Sequence, residues 1–413
     1  MRDSALAECL DRARRRIGIP LPPPRPLIRI AGAPRLQPKR ERPTIVAATH
    51  NLERQGAPLS LIEVLAGLAA NFDVHLTTPS FGPLTEDARA AGIAVHATPL
   101  PQLARDGASY DAGLRTYAEL VSSLQPDVVM ANSTATFHAV DAARLLGVPS
   151  IWVIRESTRP AEFFAQFPRS VQARALGCLE YPRQLVFVSQ HTMARWPESE
   201  VPRTVIHTVL EPTRMQQMID AHERPTARAS LGYDGDDIVF LTIGTLCDDK
   251  GQADLLDALP SIVERAPRAR FLLVGSAAEP GGARLIERLR ELDETSRARV
   301  SHYEATADIA QFYCAADFYL CTSRRESYPR TILEAKGLSL SVLAPAIDGV
   351  LEILTHEEGS IFDQGDPSDL ARSAIRAAHA KQHCAASAIN PPTVGAYYTM
   401  LDRYRELIRS STR

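Results

Sequence analysis

The chain has 413 residues, 45% of them hydrophobic and 23% charged, with a formal net charge of -3. That length exceeds one ordinary core and predicts two domains, and the near-neutral balance excludes a general attraction to nucleic acid. No apolar run is long enough to span a bilayer, and the N-terminus lacks the uninterrupted apolar core of a secretory signal.

Residues 1–42 form a basic N-terminal arm in which an Arg-rich piece, Cys9 to Ile17, leads into a Pro-dense stretch that forbids regular helix. It reads either as a solvated arm or as a contact with anionic lipid headgroups or a partner, since clustered Arg is drawn to negative surfaces. From Thr44 short apolar strands alternate with amphipathic helices. TIVAATH, DVHLTTP, IAVHATP, DVVMANS, PSIWVIRES and RQLVFVS read as strands, with helices such as LSLIEVLAGLAANF and TFHAVDAARLLG between them. Nearly all-apolar strands separated by helices predict a parallel sheet covered on both faces. The first domain is therefore expected over 43–212 and a linker over 213–236. A second series over 237–390 has the strands IVFLTIG, ARFLLVG, RVSHYE, DFYLCTS, LSVLAP and SIFDQG. Residues 391–413 are expected to form a last amphipathic helix returning to the first domain. The expected fold class is α/β, two Rossmann-like doubly wound domains, with the binding cleft outside the carboxyl ends of both sheets.

Cys9, Cys178, Cys247, Cys314, Cys321 and Cys384 are scattered with no C-x-x-C pair. Disulfides and a structural metal are therefore not expected, and a cytoplasmic setting fits, with the arm allowing peripheral contact at the inner face of a membrane. Cys314 and Cys321 read as small core residues.

Three loops that follow a strand and open a helix carry residue choices that packing does not explain. In THNLERQGAP, Gly56-Ala57-Pro58 places small residues and a proline where a helix starts, which reads either as a plain turn or as free N–H groups open to an anion or sugar. In GTLCDDKGQ, Lys250 precedes Gly251 at a helix start, where its ammonium can meet a diphosphate or simply be solvated. The spacing is not that of a Walker P-loop. In SRRESYPRTILEAKG, Glu326 lies in the loop, Pro329 suits a first helical position, and Glu334 lies a turn further on, so both carboxylates are expected at the mouth of the cleft. Arg155 and Glu156 follow the strand IWVI and read either as acceptor-orienting or acid–base groups or as a surface ion pair. His50 and His138 read as structural or solvated. Asp234-Gly235-Asp236 precedes a strand and reads as a turn rather than a metal site.

Taken together, KGQADLLDAL, ARFLLVG, AADFYLCTSRRESYPRTILEAKGLSLSVLAP and GSIFDQGDPSDLA resemble the C-terminal half of family 4 of the retaining GT-B glycosyltransferases. GAPLSLIEVLAGLA, FGPL and VFVS are similar to its N-terminal half, and the resemblance runs from about Thr44 to Ile408. It implies transfer of a hexose-type sugar, with retention and without a metal or other cofactor, from a UDP- or GDP-sugar donor. The acceptor would be a glycan, lipid-linked or small-molecule hydroxyl, as in polysaccharide biosynthesis. Residue by residue, it implies that Glu334 accepts the ribose hydroxyls and that Glu326 lies beside the donor sugar at the reacting centre. Tyr328, Pro329, Arg330 and Thr331 would line the sugar and diphosphate, and Lys250 would neutralise the leaving diphosphate. Gly56 and Ala57 would close over the donor, while Gly275-Ser276 and Tyr303-Glu304 would frame the base.

The chain departs from the family pattern at Thr245, where many relatives carry arginine, so one positive charge on the diphosphate is missing. It also carries Ser327-Tyr328 for Gly-Phe, and Thr208-Val209 for the common Asn-Gly. A catalytically inactive sugar-nucleotide-binding protein of the same fold is the alternative. A dinucleotide-dependent oxidoreductase would need G-x-G-x-x-G after the first strand, which THNLERQGAP does not supply. An epimerase on the same scaffold is a more distant reading.

Overall fold

The computed structural model describes residues 42–277, 280–354, 359–381 and 394–412. The basic arm up to residue 41 and the helix read at Cys9–Ile17 lie outside the described residues. The chain divides into two compact units. One comprises the described residues up to Thr208 and the chain from Tyr398 onward, the other Val209–Tyr397.

The first unit carries a seven-stranded sheet of β1 (Thr44–Ala48), β2 (Asp73–Thr78), β3 (Ala94–Ala97), β4 (Val128–Asn132), β5 (Ser150–Ile154), β6 (Gln184–Phe187) and β7 (Arg203–Val205). Its order is β3-β2-β1-β4-β5-β6-β7, with every pairing parallel. Strands β1, β4 and β5 are buried along their whole length, as their unbroken apolar sequences require. Strand β7 has only three half-buried residues and carries too short a pattern to be read from sequence.

The second unit carries β8 (Ile238–Ile243), β9 (Ala269–Val274), β10 (Val300–Tyr303), β11 (Phe318–Leu320), β12 (Ser341–Pro345) and β13 (Gly359–Phe362), in the order β10-β9-β8-β11-β12-β13 and again all parallel. Side chains alternate between the two faces. Val239, Leu241, Leu272 and Val274 enter one apolar cluster, while Ile238, Phe240, Phe271 and Leu273 enter another. Helices Gln252–Arg265 and Pro367–Lys381 supply the second cluster, with Leu255, Leu259, Leu370 and Ala374.

The linker expected over 213–236 is corrected. Helices Pro212–Asp220 and Arg224–Ser230 lie in that stretch, and Met215, Met218 and Ala227 are part of the second unit's core. The seam falls at Thr208/Val209. Arg228 ties these helices down by donating to the carbonyls of Asp234, Asp237 and Ala315 and by pairing with Asp317. Asp234 to Asp237 is a turn closed by the Asp237 N–H on the Asp234 carbonyl. Cys321 is buried, whereas Cys314 is only half-buried, its thiol donating to the His222 carbonyl. In the last helix, Val394–Ser411, Leu401 packs so closely on Gly67 that a Cβ there would lie 2.4 Å from Leu401 Cδ1, and Arg405 donates to the Gly67 carbonyl. Among the described residues no helix is long and apolar enough to cross a membrane.

His138, on helix Phe137–Leu146, belongs to the core. It is 1% exposed, its ring stands edge-on to Tyr117 at 4.7 Å, and its Nδ1 has no partner. Burial holds its pKa down to about 3. Between that value and the unfolded 6.5 the unfolded chain binds the extra proton, so the stabilisation is full above pH 6.5 and is lost as pH falls toward 3. Urea unfolding at pH 7 and pH 5 is expected to show a loss of roughly 2 kcal/mol from this group, and His138→Phe should flatten that slope.

Candidate active site

In the second unit β8 lies between β9 and β11, so the loops that leave β8 and β11 emerge side by side at the carboxyl end of the sheet, where the connections run in opposite directions. The loop after β8 ends in a short turn, Asp248–Lys250, and reverses at Gly251, whose φ is +63°. A Cβ at Gly251 would fall 2.1 Å from the Thr322 carbonyl oxygen of the loop after β11. The two loops are further joined by Thr322 Oγ1 donating to the Lys250 carbonyl (2.7 Å) and the Arg324 N–H to the Asp249 carbonyl (2.8 Å). Arg324 also pairs with Asp254 at 2.6 Å.

This contact brings Lys250 Nζ to 2.5 Å from Glu326 Oε1, which also accepts from Ser323 Oγ at 2.7 Å. Burial works against the Lys250 charge, but the Glu326 carboxylate outweighs it and raises the pKa, so the ammonium persists. The path of the Glu326–Tyr328 segment is set by Gly349, where a Cβ would lie 1.8 Å from the Ser327 carbonyl oxygen. Tyr328 is half-buried, and burial together with the Glu352 charge pushes its hydroxyl up to about 12.

Pro329 caps the following helix, Arg330–Gly337, one position earlier than expected. The expectation that both glutamates stand at an open mouth is corrected for Glu334, which is 2% exposed. Arg330, one turn back, donates from Nε to Oε1 (2.8 Å), and the Tyr313 hydroxyl donates to Oε2 (3.0 Å). Such donors satisfy the buried carboxylate oxygens, and the i,i+4 spacing brings Arg330 within reach. Thr331 accepts from the Tyr319 hydroxyl at 2.6 Å. Ser276 and Tyr303 lie beyond β9 and at the end of β10. The Ser276 carbonyl accepts from the Leu246 N–H, and the Tyr303 carbonyl accepts from the Gly275 N–H. The Thr245 carbonyl accepts from Gln252 Nε2.

In the first unit the corresponding strand ends are those of β1, β4 and β5. Gly56 opens helix Gly56–Ala69 with no side-chain cap, and Asn132 Nδ2 donates to the Ala57 carbonyl at 3.3 Å. Arg155 Nε donates to Asn132 Oδ1 at 2.5 Å, and its Nη1 reaches Thr208 Oγ1 at 3.4 Å. Glu156 turns into its own unit. Oε2 accepts from Thr134 N and Oγ1 and from Arg155 N, while Oε1 accepts from Ser133 Oγ. His50 lies within the field of Glu156, its Nδ1 has no partner, and burial pulls its pKa down. Sequence reading missed Asn132, Ser133 and Thr134. They end an apolar strand, which is the available signal, but their contacts depend on neighbours far along the chain. Among the described residues no group of three or more His, Cys, Asp or Glu is placed to hold a metal ion.

Residues 223–390 match the family model for glycosyl transferases group 1, and residues 54–214 that for glycosyltransferase family 4. The D-inositol 3-phosphate glycosyltransferase of Rhodococcus erythropolis is 31% identical over 148 residues, 35% of this chain and 34% of that protein. The mannosylfructose-phosphate synthase of Agrobacterium fabrum is 27% identical over 154 residues, 36% of this chain and 34% of that protein. The chain thus matches about a third of the length of these relatives. Anabaena HepE, solved with UDP and glucose, shares the fold, with a TM-score of 0.68 at 19% identity over 89% of this chain and 100% of the other.

Gly251→Ala should displace the loop carrying Lys250, because it adds both a strained φ and a collision with backbone. The substitution is expected to cost about 2 kcal/mol or more in denaturant unfolding, whereas Gly235→Ala, with open space around it, should cost far less.

Proposed function

The chain belongs to the glycosyltransferases, family 4 over its first unit and group 1 over its second, with the two Rossmann-like domains of the GT-B fold, and from that premise we propose that it transfers a hexose-type sugar, with retention, from a nucleoside diphosphate sugar. The observation that carries the reading is the Lys250–Glu326 pair where the loops after β8 and β11 join. In this reading the second unit takes the donor and the first unit the acceptor.

As the bond from the anomeric carbon to the phosphate oxygen breaks, negative charge grows on the diphosphate. Lys250 meets it, helped by the N–H groups at the start of helix Arg330–Gly337, and fixed positive partners of this kind supply the largest catalytic effect in many enzymes. Glu326 holds Lys250 in place and borders the sugar at the reacting centre. The departing phosphate oxygen takes the proton from the acceptor hydroxyl, and the new carbon–oxygen bond forms on the face the phosphate leaves. Positive charge is thus supplied by the chain itself, without a metal. Thr245 supplies a hydroxyl where an arginine would add a second cation, so leaving-group stabilisation is weaker. Glu334 holds the ribose through its remaining lone pairs, Ser276 and Tyr303 border the base, and Gly56 and Ala57 border the sugar. Arg155 orients the acceptor. The relatives' names place phosphorylated inositol and fructose first among acceptors to try.

The test is thermal unfolding with UDP-, GDP- and CDP-sugars, followed by product analysis. A ligand at 100 times its Kd should stabilise the folded chain by about 2.7 kcal/mol. Lys250→Ala and Glu334→Gln should remove that shift, and Lys250→Ala should lower kcat by roughly 10²–10³-fold. Retention is read from the anomeric configuration of the product by NMR. Donor binding with neither transfer nor slow donor hydrolysis would mark an inactive binding protein, and absence of any shift would overturn the reading.

A further inference from the structure

Ser133 follows β4 with φ +88° and ψ 150°. Among the described residues only Gln125 and Ser339 are other non-glycine residues with positive φ, and each lies just past the end of a helix, where the left-handed conformation is common. Ser133 is different, because its combination of angles belongs to a region that essentially only glycine occupies. Such a residue persists only where its surroundings over-determine it.

The surroundings do so. The Ser133 N–H donates to the Val153 carbonyl, and the Ser133 carbonyl accepts from the indole of Trp152 at 2.9 Å. Its hydroxyl donates to Glu156 and accepts from the Ala135 N–H, and the same carboxylate takes both donors of Thr134, at 2.8 and 2.7 Å. Ser133, Thr134 and Trp152 are fully buried. The residue immediately before the strained one is Asn132, which joins the Arg155 guanidinium to the Ala57 carbonyl.

We propose that Glu156 is a positioning residue: it locks the strained Ser133–Thr134 turn and thereby sets Asn132, which holds both Arg155 and the Gly56–Ala57 turn in register at the carboxyl end of the first sheet. In this role Glu156 acts through the turn, with its oxygens engaged by Ser133, Thr134 and the Arg155 N–H. The strain is the reason an anchor is needed, since a relaxed turn would not require four donors on one carboxylate. The consequence for turnover rests on the transferase reading above. The mechanical part does not.

The test uses the full chain and three variants: Glu156→Gln, Ser133→Gly, and the two combined. In the unliganded protein, hydrogen exchange should rise in Glu156→Gln over residues 131–136 and 56–60 and stay unchanged over 238–274. With UDP as the binding probe and UDP-glucose hydrolysis as the rate, Glu156→Gln should bind UDP as the wild type does while kcat falls about 10-fold or more, as expected when reacting groups are misplaced by a fraction of an ångström. Ser133→Gly should be near wild type, because glycine adopts this conformation without an anchor. In the double variant it should restore most of the lost rate. Unchanged exchange in Glu156→Gln overturns the proposal, as does a rate loss that Ser133→Gly fails to rescue or that tracks the unfolded fraction. If UDP does not bind, the diphosphate sugar of the panel that stabilises the wild type takes its place, and if none stabilises it or is hydrolysed, the transferase reading fails instead. The exchange measurements then decide the positioning role alone.

Discussion

A parallel strand covered by helices on both faces has no wet side, so polar chemistry can stand only at its ends. The first unit buries β1, β4 and β5 completely, and in the second Val239 and Leu241 serve one core while Ile238 and Phe240 serve the other. What remains for polar groups is the carboxyl edge, where loops turn into helices whose N–H groups are unsatisfied. His50, Asn132, Arg155, Lys250 and Glu326 all lie on loops or strand ends at that edge.

On the second unit the groups at this edge come as two cation–carboxylate pairs, Lys250 with Glu326 and Arg330 with Glu334. Each glutamate holds its cationic partner in place, and Glu326 also keeps the Lys250 ammonium charged against burial. The two pairs differ in depth. Lys250 is about a third exposed, whereas Arg330 and Glu334 are buried and are also tied to Tyr313. The outer pair is therefore the one free to redistribute charge toward a ligand, and the inner one gives the helix its rigid start.

On the first unit the same edge is organised by strain rather than by charge pairing. Ser133 is held in an unfavourable backbone conformation by one carboxylate, one indole and one strand carbonyl. Asn132, next to it, touches both Arg155 and the Gly56–Ala57 turn. Glycine at position 133 would relieve the strain but would also remove the hydroxyl that Glu156 and Ala135 use. Serine there makes the turn dependent on Glu156.

Local pattern was enough to read much of this protein. The unbroken apolar runs at Thr44–Ala48, Val128–Asn132 and Ile238–Ile243 read as doubly covered strands, and the segment from Ser323 to Gly337, following β11, marks a helix start with two carboxylates. Periodicity of this kind lies within a dozen residues and survives without any knowledge of neighbours. Other features were decided by strand order, which hydrophobic pattern does not encode. Lys250 and Glu326 are 76 positions apart and meet because β8 pairs with β11. Glu334 is drawn into the core by Tyr313, and helices Pro212–Asp220 and Arg224–Ser230 join the core because Arg228 finds Asp317 and three carbonyls that only the folded sheet brings together. The backbone of Ser133 is the extreme case, since no serine prefers that conformation and only the tertiary contacts of Glu156 and Trp152 can impose it.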